Sequence, residues 1–333
     1  MVSNGESTQS DSSAIPARSQ RSILQRISLF LGAMYIAGTV SGGIFLGWYS
    51  LHPKSAPIRP YEERNVQAAA REKSVEFRDV ELTAADGVVL RAWYMRPPEA
   101  NGDAVILLHG VTENRMEMHP YGQWLLEHHY TVLMPDARHH GDSGGLTTYG
   151  IREVDDIRRW LDWMENKEPA RCVYGLGESM GAMELLEALP RESRLCAVVA
   201  ESASASFREE AYVRFGRPFH TGPWLGRTFF RPTVDTGFLY VRLRYGLDLE
   251  TVSPEQAVVG AKTPILLIHG LNDHVVPPYH SDLIQAQNPS TIVMWKVPGA
   301  IHTQAHHAAP QEFEQKVLQW FGDHSSAPSQ SQR

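Results

Sequence analysis

Residues 171–189, RCVYGLGESMGAMELLEAL, decide the fold of this 333-residue chain. A short apolar segment comes first, and the pattern Gly-x-Ser-x-Gly follows at residues 177–181. A run of strong helix formers comes next and stops at Pro190. This order predicts a strand, a sharp turn and a helix, with Ser179 on the turn.

A serine on such a turn has a strained backbone, and its hydroxyl lies exposed above the edge of a sheet. The flanking glycines, Gly177 and Gly181, are needed because a side chain at either place would collide with the neighbouring strand or helix. The positive end of the following helix points toward any anion formed at Ser179. The stretch therefore predicts a nucleophilic serine.

The same pattern occurs a second time, at residues 141–145, with Ser143 in its centre. No strand leads directly into Ser143, and the residues that follow, LTTYG, are a poor helix start. The strand–turn–helix context exists only at Ser179. We interpret Ser143 as a serine in a glycine-rich loop.

Hydrophobic residues make up 42% of the chain. With its length, this content fits one large domain with appendages, or at most two domains. The net charge is −7 and the pI about 6.1. No basic block resembles a nucleic-acid footprint, so nucleic-acid binding is excluded. The cysteines, Cys172 and Cys196, lie in short apolar runs, and we interpret them as buried thiols because a disulfide framework or metal site needs more ligands.

The amino terminus divides into a Ser- and Gln-rich tail, residues 1–26, which we expect to be disordered, and an uncharged run, residues 27–51. As a helix this run is about 37 Å long, enough to cross a hydrocarbon core of about 30 Å. A cleaved signal peptide is the first alternative, although its apolar region is usually only about 7–15 residues. A buried soluble helix is the second. We interpret the run as an uncleaved transmembrane anchor.

Arginines before this run and basic residues after it leave the positive-inside rule almost balanced. We favour the short tail inside and the main domain outside the membrane. Residues 52–73, with three prolines, predict a linker or a short helix that spaces the domain from the membrane. Residues 74–322 predict the globular domain and residues 323–333 a disordered tail.

The globular domain opens with a predicted hairpin that turns at Asp86-Gly87. After it, apolar runs alternate with segments of helical period, which indicates a mostly parallel sheet with helices on both faces. Residues 202–262 interrupt this alternation and hold ten of the 31 aromatic residues. We predict a helical cap here, inserted after the sixth strand, with some rings lining an apolar pocket.

A serine hydroxyl needs a base, and the base needs a carboxylate to orient it. In an open parallel sheet these groups gather at the carboxyl ends of strands. Asp273 and His302 each follow a predicted strand, which completes the order Ser, Asp, His. Glu201 is the alternative acid, because it also follows a strand, and His306 and His307 are alternative bases.

At these residues the chain resembles the α/β-hydrolase superfamily, and within it the bacterial serine-aminopeptidase and monoacylglycerol-lipase-like enzymes. The resemblance covers residues 74–322. One departure is His139, where relatives usually have glycine in Arg-Gly-His-Gly. The motifs that carry the resemblance are HGVTENR at 109–115, DARHHGDSGG at 136–145, GESMG at 177–181, GLNDHVVP at 270–277 and the loop around His302.

The resemblance implies an oxyanion hole made of two backbone N–H groups, those of Val111 and Met180. It implies no cofactor. A metal site is not expected, because none of the 15 histidines belongs to a His-Glu-x-x-His pair. Six further histidines are interpreted as solvated or as hydrogen-bonded structural residues: His128, His129, His139, His140, His274 and His280.

The expected activity is hydrolysis of a carboxylic ester, with a small or lipid-like substrate, through an acyl-enzyme on Ser179. Amide, peptide or thioester cleavage by the same residues is the alternative. A membrane-tethered binding protein without turnover is an alternative of another class. An aminopeptidase would need a carboxylate to hold the substrate amine, and the candidates are Glu113, Glu201, Glu209 and Glu210.

Overall fold

The structure, a computed structural model, describes residues 17–325. Its strands are β1 (Glu76–Thr83), β2 (Val89–Arg96), β3 (Ala104–Leu108), β4 (Thr131–Pro135), β5 (Val173–Glu178), β6 (Leu195–Glu201), β7 (Ile265–Gly270) and β8 (Ile292–Val297). Its helices are α1 (Ala17–Leu51), α2 (Pro60–Glu72), α3 (His119–Glu127), α4 (Glu153–Lys167), α5 (Met180–Ala188), α6 (Phe207–Gly216), α7 (Trp224–Arg227), α8 (Arg231–Tyr245), α9 (Pro254–Ala257), α10 (Tyr279–Gln287), α11 (Ala305–Ala308) and α12 (Pro310–Asp323).

The strands form one sheet in the order β1-β2-β4-β3-β5-β6-β7-β8. β1 and β2 are an antiparallel hairpin, and β2 also runs antiparallel to β4. From β4 to β8 every neighbouring pair is parallel. The predicted fold is confirmed, including the hairpin at one edge of a mostly parallel sheet.

Helices cover both faces of this sheet, which explains why β3 and β4 are buried along their whole length. The core on one face includes residues of α4, α5 and α8, and the core on the other includes residues of α2, α3 and α12. In a sheet of parallel strands, all carboxyl ends lie at one edge. That edge therefore collects the turns after β3, β5, β7 and β8.

The cap is confirmed as a helical insertion after the sixth strand, with α6 to α9 between β6 and β7. Several of its aromatic side chains pack within it or onto the domain. Phe215 stacks on Phe230 with ring centroids 4.6 Å apart, and Phe207 packs on Tyr149 at 4.4 Å. These contacts therefore stabilise the cap and its packing on the domain.

Helix α1 begins at Ala17, ten residues before the predicted start, because residues 17–26 are mostly good helix formers. Residues 1–16 of the predicted disordered tail lie outside the described part of the chain. From Ile23 to Leu51 the helix is long and apolar enough to cross a membrane, as a membrane anchor or a signal sequence would be. Its mean hydropathy there is 1.7.

The carboxyl half of α1 packs against the cap helix α8. A Cβ atom on Gly43 or Gly47 would lie 2.7 Å from the carbonyl oxygen of Thr233 or Gly237 respectively. The two glycines are four residues apart, the spacing that lets two helices approach closely. The last residue of the helix, Leu51, is fully buried. The end of α1 is thus part of the folded domain.

We expect Gly47→Leu to lower the melting temperature of the full-length protein in detergent, because the new side chain would separate α1 from α8. Overpacking of this kind typically costs about 1–3 kcal/mol. Gly32→Leu is the matched control, since nothing lies within 4 Å of a Cβ at Gly32 and both variants gain the same helix propensity. Equal melting temperatures for the two variants would contradict this packing.

The second half of the segment predicted as a linker or short helix is helical. Residues 60–72 form α2, and Val66 and Ala70 on its inner face are buried against the core. Pro60 begins the helix at the position where proline is tolerated best. At the other end of the chain α12 stops at Asp323, and residues 326–333 of the predicted tail lie outside the described part.

The interpretation of the cysteines as thiols is wrong, because Cys172 and Cys196 form a disulfide. Cys172 directly precedes β5, and Cys196 lies in the neighbouring strand β6, with the two Cα atoms 5.8 Å apart. Two cysteines are too few for a disulfide framework, so the sequence alone favours buried thiols. The parallel pairing of β5 and β6 brings the two side chains together.

We expect the double variant Cys172→Ala/Cys196→Ala to lose about 2–4 kcal/mol of unfolding free energy, because the bond closes a loop in the unfolded chain. Urea unfolding of the full-length protein in detergent measures this loss. A reducing agent should lower the wild type to the level of the variant and leave the variant unchanged. An unchanged urea midpoint in the variant would contradict a stabilising disulfide.

Candidate active site

Ser179 lies on the turn between β5 and α5, in an unusual backbone conformation with φ 49° and ψ −107°. Its N–H donates to the carbonyl oxygen of Glu201 on β6, at 2.8 Å. A Cβ on Gly177 would come within 2.6 Å of Gly181, and one on Gly181 within 2.3 Å of the carbonyl oxygen of Leu108. Both glycines are thus required where the strand and the helix cross so closely, and the backbone of Ser179 between them is strained.

The structure brings together the three side chains that the sequence singles out. His302 Nε2 lies 2.9 Å from Ser179 Oγ, and His302 Nδ1 lies 2.7 Å from Asp273 Oδ2. Asp273 follows β7, and His302 lies in the loop after β8, so both come from the carboxyl edge of the sheet. The order of contacts is that of a nucleophile, a base and a carboxylate that orients the base.

The Asp273 carboxylate is fully buried and is held by several donors. Its Oδ1 atom accepts the N–H groups of Val275 and Val276, at 2.8 and 2.9 Å. Burial alone would raise the pKa of Asp273, but hydrogen bonds from His269 and His302 outweigh burial and hold that pKa well below its usual value. The carboxylate therefore stays ionised at any pH at which the protein would work.

His269 is a residue that the sequence analysis missed. It is fully buried at the end of β7, and its Nε2 atom lies 3.4 Å from Asp273 Oδ2 and 2.8 Å from the carbonyl oxygen of Val276. Its Nδ1 atom lies 2.5 Å from Ser281 Oγ. Because Nε2 faces two acceptors it carries the proton, and Nδ1 accepts from the serine hydroxyl. Its position four residues before Asp273 is the signal that could have identified it.

The backbone N–H groups of Val111 and Met180 donate no hydrogen bond to any residue from 17 to 325. Their neighbours are held in place: the Gly110 N–H donates to Glu113 Oε2 at 2.9 Å, and the Thr112 N–H to His140 Nε2 at 3.2 Å. The loop after β3 is thus fixed on both sides of Val111. Free donors beside a nucleophile are what an oxyanion requires.

Two buried histidines support this loop as neutral acceptors. His109 Nε2 accepts the N–H of Ala137, so His109 Nδ1 donates to the carbonyl oxygen of Gly110. His140 donates from Nδ1 to the carbonyl oxygen of Arg138. Burial lowers the pKa of His109 to about 4 and that of His140 to about 3. Both imidazoles remain neutral at physiological pH, and His140 has the structural role that the sequence analysis expects.

Glu201, the alternative acid, lies beside the catalytic loop but does not contact His302. Its Oε1 atom accepts the N–H of Ala305 at 2.8 Å, and this bond ties the loop that contains His302 to the end of β6. Glu178 is its buried neighbour and accepts the hydroxyl of Tyr121 at 2.5 Å. Burial raises the pKa of Glu201 to about 7, and burial together with the charge of Glu201 raises the pKa of Glu178 well above its usual value.

This raised pKa predicts a pH-dependent effect of Glu201→Gln on stability. The ordinary pKa is 4.5 and the folded value about 7, so between them the folded protein keeps a proton that the unfolded chain has released. Wild-type stability therefore falls relative to Glu201→Gln as the pH rises through this window. Urea unfolding of both proteins at about pH 5 and about pH 8 measures the change. A pH-independent difference would contradict the raised pKa.

The remaining candidates have other partners. His306 Nε2 lies 3.0 Å from Glu314 Oε1. Among the described residues, the histidine that hydrogen-bonds to Ser179 is His302, and neither His306 nor His307 does so. Ser143 is buried, and its hydroxyl donates to the carbonyl oxygen of Asp136 at 3.0 Å. His139 has a φ of 66°, in the left-handed region that favours glycine.

The four candidate carboxylates for binding an amine each accept at least one donor, while Glu201 Oε2 has no partner among the described residues. Glu113 and Glu201 accept backbone N–H groups, as described above. Glu209 pairs with Arg227 and accepts the hydroxyl of Tyr279 at 2.7 Å, and Glu210 pairs with Arg214 at 2.8 Å. Residues 17–325 contain no group of three His, Cys, Asp or Glu side chains placed to hold a metal ion.

Comparison with known proteins agrees with this geometry. A family model described as "Alpha/beta hydrolase family" matches residues 105–316. The protein YqkD of Bacillus subtilis is 27% identical over 266 residues, which is 76% of this chain and 83% of YqkD.

Solved structures show the same fold. The esterase Pf2001 of Pyrococcus furiosus has a TM-score of 0.63 at 25% identity and covers 77% of this chain and 94% of the esterase. The acylaminoacyl peptidase of Pyrococcus horikoshii has a TM-score of 0.57 at 16% identity, over 81% of this chain and 45% of the peptidase, and this likeness is one of fold alone. Because the family model covers well over half of its residues, this chain belongs to the alpha/beta hydrolase family and is a hydrolase enzyme.

Proposed function

We propose that this hydrolase is a membrane-anchored serine esterase, with Ser179 as nucleophile, His302 as general base and Asp273 as the residue that orients it. The observation that carries the proposal is the position of His302 between the other two, 2.9 Å from Ser179 Oγ and 2.7 Å from Asp273 Oδ2. Such a chain of contacts makes a weak hydroxyl nucleophile reactive.

In the acylation half of the reaction, Ser179 Oγ attacks the ester carbonyl carbon and its proton passes to His302 Nε2. The carbonyl oxygen becomes an oxyanion, and the N–H groups of Val111 and Met180 stabilise it. One such donor typically contributes about 3 kcal/mol to transition-state stabilisation. The His302 imidazolium then protonates the leaving alcohol, and the C–O bond to it breaks. The acyl group remains on Ser179.

In the deacylation half, His302 takes a proton from water, and the resulting hydroxide attacks the acyl carbon. The same two N–H groups stabilise the second oxyanion. Collapse of this intermediate breaks the bond to Ser179 Oγ, which takes its proton back from His302. The ionised carboxylate of Asp273 keeps the Nδ1 proton of His302 in place throughout and stabilises the imidazolium.

The choice of an ester over an aminoacyl amide rests on the carboxylates near the site. Each of the four that could bind a substrate amine already accepts at least one donor within the chain, which weakens its attraction for an amine. The esterase among the structural neighbours, at 25% identity, also favours an ester. The aromatic content of the cap and the apolar helix α1 favour a small apolar or lipid-like acyl group.

We also propose that α1 is retained as an anchor and that the catalytic domain lies on the outer side of the membrane. Removal of α1 would remove the contacts of Gly43 and Gly47 with the cap and the buried side chain of Leu51. The packing therefore supports a retained helix. The disulfide between Cys172 and Cys196 supports the outer side, because such bonds persist in oxidising compartments.

The test is hydrolysis of p-nitrophenyl esters, from acetate to palmitate, by the full-length protein in detergent. The full chain is needed because a truncation at residue 52 would expose the face of α8 that α1 covers. We expect turnover of at least one ester, and the preferred chain length would measure the acyl pocket. Inactivity on every ester together with cleavage of aminoacyl amides or thioesters would favour the peptidase or thioesterase alternative.

A non-catalytic binding protein is distinguished by covalent labelling with a fluorophosphonate. This reagent phosphonylates a serine that a neighbouring base activates, whether or not the substrate is known. We expect labelling of the wild-type protein at Ser179 and none of Ser179→Ala. Absence of labelling in a folded wild-type protein would favour the binding-protein alternative.

A further inference from the structure

Helix α1 meets the cap early along its length. The hydroxyl of Tyr35 donates to the carbonyl oxygen of Phe229 at 2.6 Å, and the two rings lie 5.0 Å apart. Tyr35 comes only twelve residues after Ile23, where the apolar span of α1 begins. Twelve helical residues cover about 18 Å, short of the roughly 30 Å of a hydrocarbon core. A membrane-crossing α1 must therefore use residues that lie beside the cap.

The segment of the cap that contains Phe229, residues 217–231, is here named the cap tip. Three of its large aromatic side chains are exposed, Phe219 at 58%, Trp224 at 63% and Phe229 at 54%, while Phe230 is half-buried. Arginines at both of its ends, Arg217 and Arg231, are also exposed. Exposed rings with basic neighbours are typical of segments that lie at a membrane interface and contact anionic headgroups.

A groove of about 410 Å³ separates α1 from the cap beside this tip. Its lining is almost entirely apolar and comes from both elements, with Tyr35 and Phe45 on α1 and Phe215 and Phe229 on the cap. In water such a groove would add to an already large exposed apolar surface. In a bilayer, lipid acyl chains would fill it.

We propose that the cap tip inserts into the outer leaflet of the bilayer beside α1, with its aromatic side chains at the boundary between headgroups and acyl chains. The inference rests on the proposed crossing of the membrane by α1. Insertion of an amphipathic segment to about 5–10 Å is typical of proteins bound at one face of a membrane. The protein would then hold the membrane by two adjoining surfaces, and its cap would have a fixed orientation toward the lipid.

The far end of α8 provides an internal comparison. Contacts of Gly43 with Thr233 and of Gly47 with Gly237 show that α8 runs alongside α1 in the same direction. Leu243 lies twelve residues after Arg231, about 18 Å along the helix and away from the cap tip. It is 77% exposed, more than any aromatic residue of the tip. Leu243 is thus at least as exposed as the aromatic residues of the cap tip, and the comparison concerns its different height along α1.

The experiment is photo-crosslinking of the full-length protein in nanodiscs of phosphatidylcholine and phosphatidylglycerol. p-Benzoylphenylalanine replaces Trp224 in the cap tip, Phe30 in the exposed part of α1 or Leu243 at the far end of α8, one at a time. Lipid adducts on the labelled peptide are measured by mass spectrometry. Thermal unfolding of each variant verifies that it is folded, and no step requires turnover of a substrate.

We expect lipid adducts at positions 224 and 30, and at least tenfold fewer at position 243. Adducts at 30 without adducts at 224 would overturn the insertion of the cap tip and leave the transmembrane anchor standing. Equal adducts at 224 and 243 would also overturn it, because contact would then follow exposure alone. An absence of adducts at both 30 and 224 would overturn the insertion together with the anchor. None of these outcomes depends on whether the protein is an esterase.

Discussion

Ser179→Ala is expected to lower kcat/KM for the best ester substrate by about 10⁴-fold or more, because removal of the nucleophile leaves only the oxyanion hole and substrate binding. The fold should survive, since Ser179 contributes only its backbone N–H to the contact with Glu201, and alanine keeps that bond. Alanine also releases no buried charge. Ester hydrolysis and the melting temperature, measured on the same preparation, separate loss of chemistry from loss of fold.

Ser143→Ala is the matched control, because Ser143 is the centre of the second Gly-x-Ser-x-Gly pattern. Its hydroxyl accepts the N–H of Arg91 and donates to the carbonyl oxygen of Asp136. Loss of such buried hydrogen bonds should cost about 1–3 kcal/mol of stability. Activity per folded molecule should change little. A large loss of kcat in Ser143→Ala with a wild-type rate in Ser179→Ala would refute the assignment of the nucleophile.

The sequence was sufficient for the sheet and for the three side chains because each of these follows from local pattern. A fully apolar run such as Ala104–Leu108 identifies a buried strand, and Asp273 and His302 each stand a few residues after a predicted strand. Strand ends converge by the geometry of a parallel sheet. Short distances among Ser179, Asp273 and His302 are therefore expected from the sequence alone.

What the sequence did not indicate depends on contacts between distant segments. The disulfide forms because β5 and β6 are neighbours, and two cysteines alone are equally typical of buried thiols. The packing of α1 on α8 joins residues about 190 positions apart, and the glycines of α1 indicated only a membrane helix. The role of His269 depends in part on Ser281, which lies on a different element.

Asp273→Asn is expected to lower kcat by about 10⁴-fold, because an amide can no longer keep the Nδ1 proton of His302 or stabilise its imidazolium. The amide would also present an N–H₂ group to atoms that now donate to the carboxylate, among them His302 Nδ1, which lies 2.7 Å from Oδ2. Binding of substrate should change far less, so the effect should appear in kcat rather than KM. Steady-state kinetics with the preferred ester measure both constants.

Glu201→Gln is the comparison that decides which carboxylate orients the base. Both acids lie near the carboxyl end of a parallel strand, both are buried, and each substitution replaces a carboxylate by an amide of the same size. Glu201 contacts the loop of His302 only through the N–H of Ala305, a bond that the glutamine oxygen can still accept. We therefore expect Glu201→Gln to keep kcat within about tenfold of wild type, against the 10⁴-fold loss at Asp273. The opposite ranking would place the orienting carboxylate at the end of β6 and would leave Asp273 as a residue that only ties the loop after β7 to its own backbone.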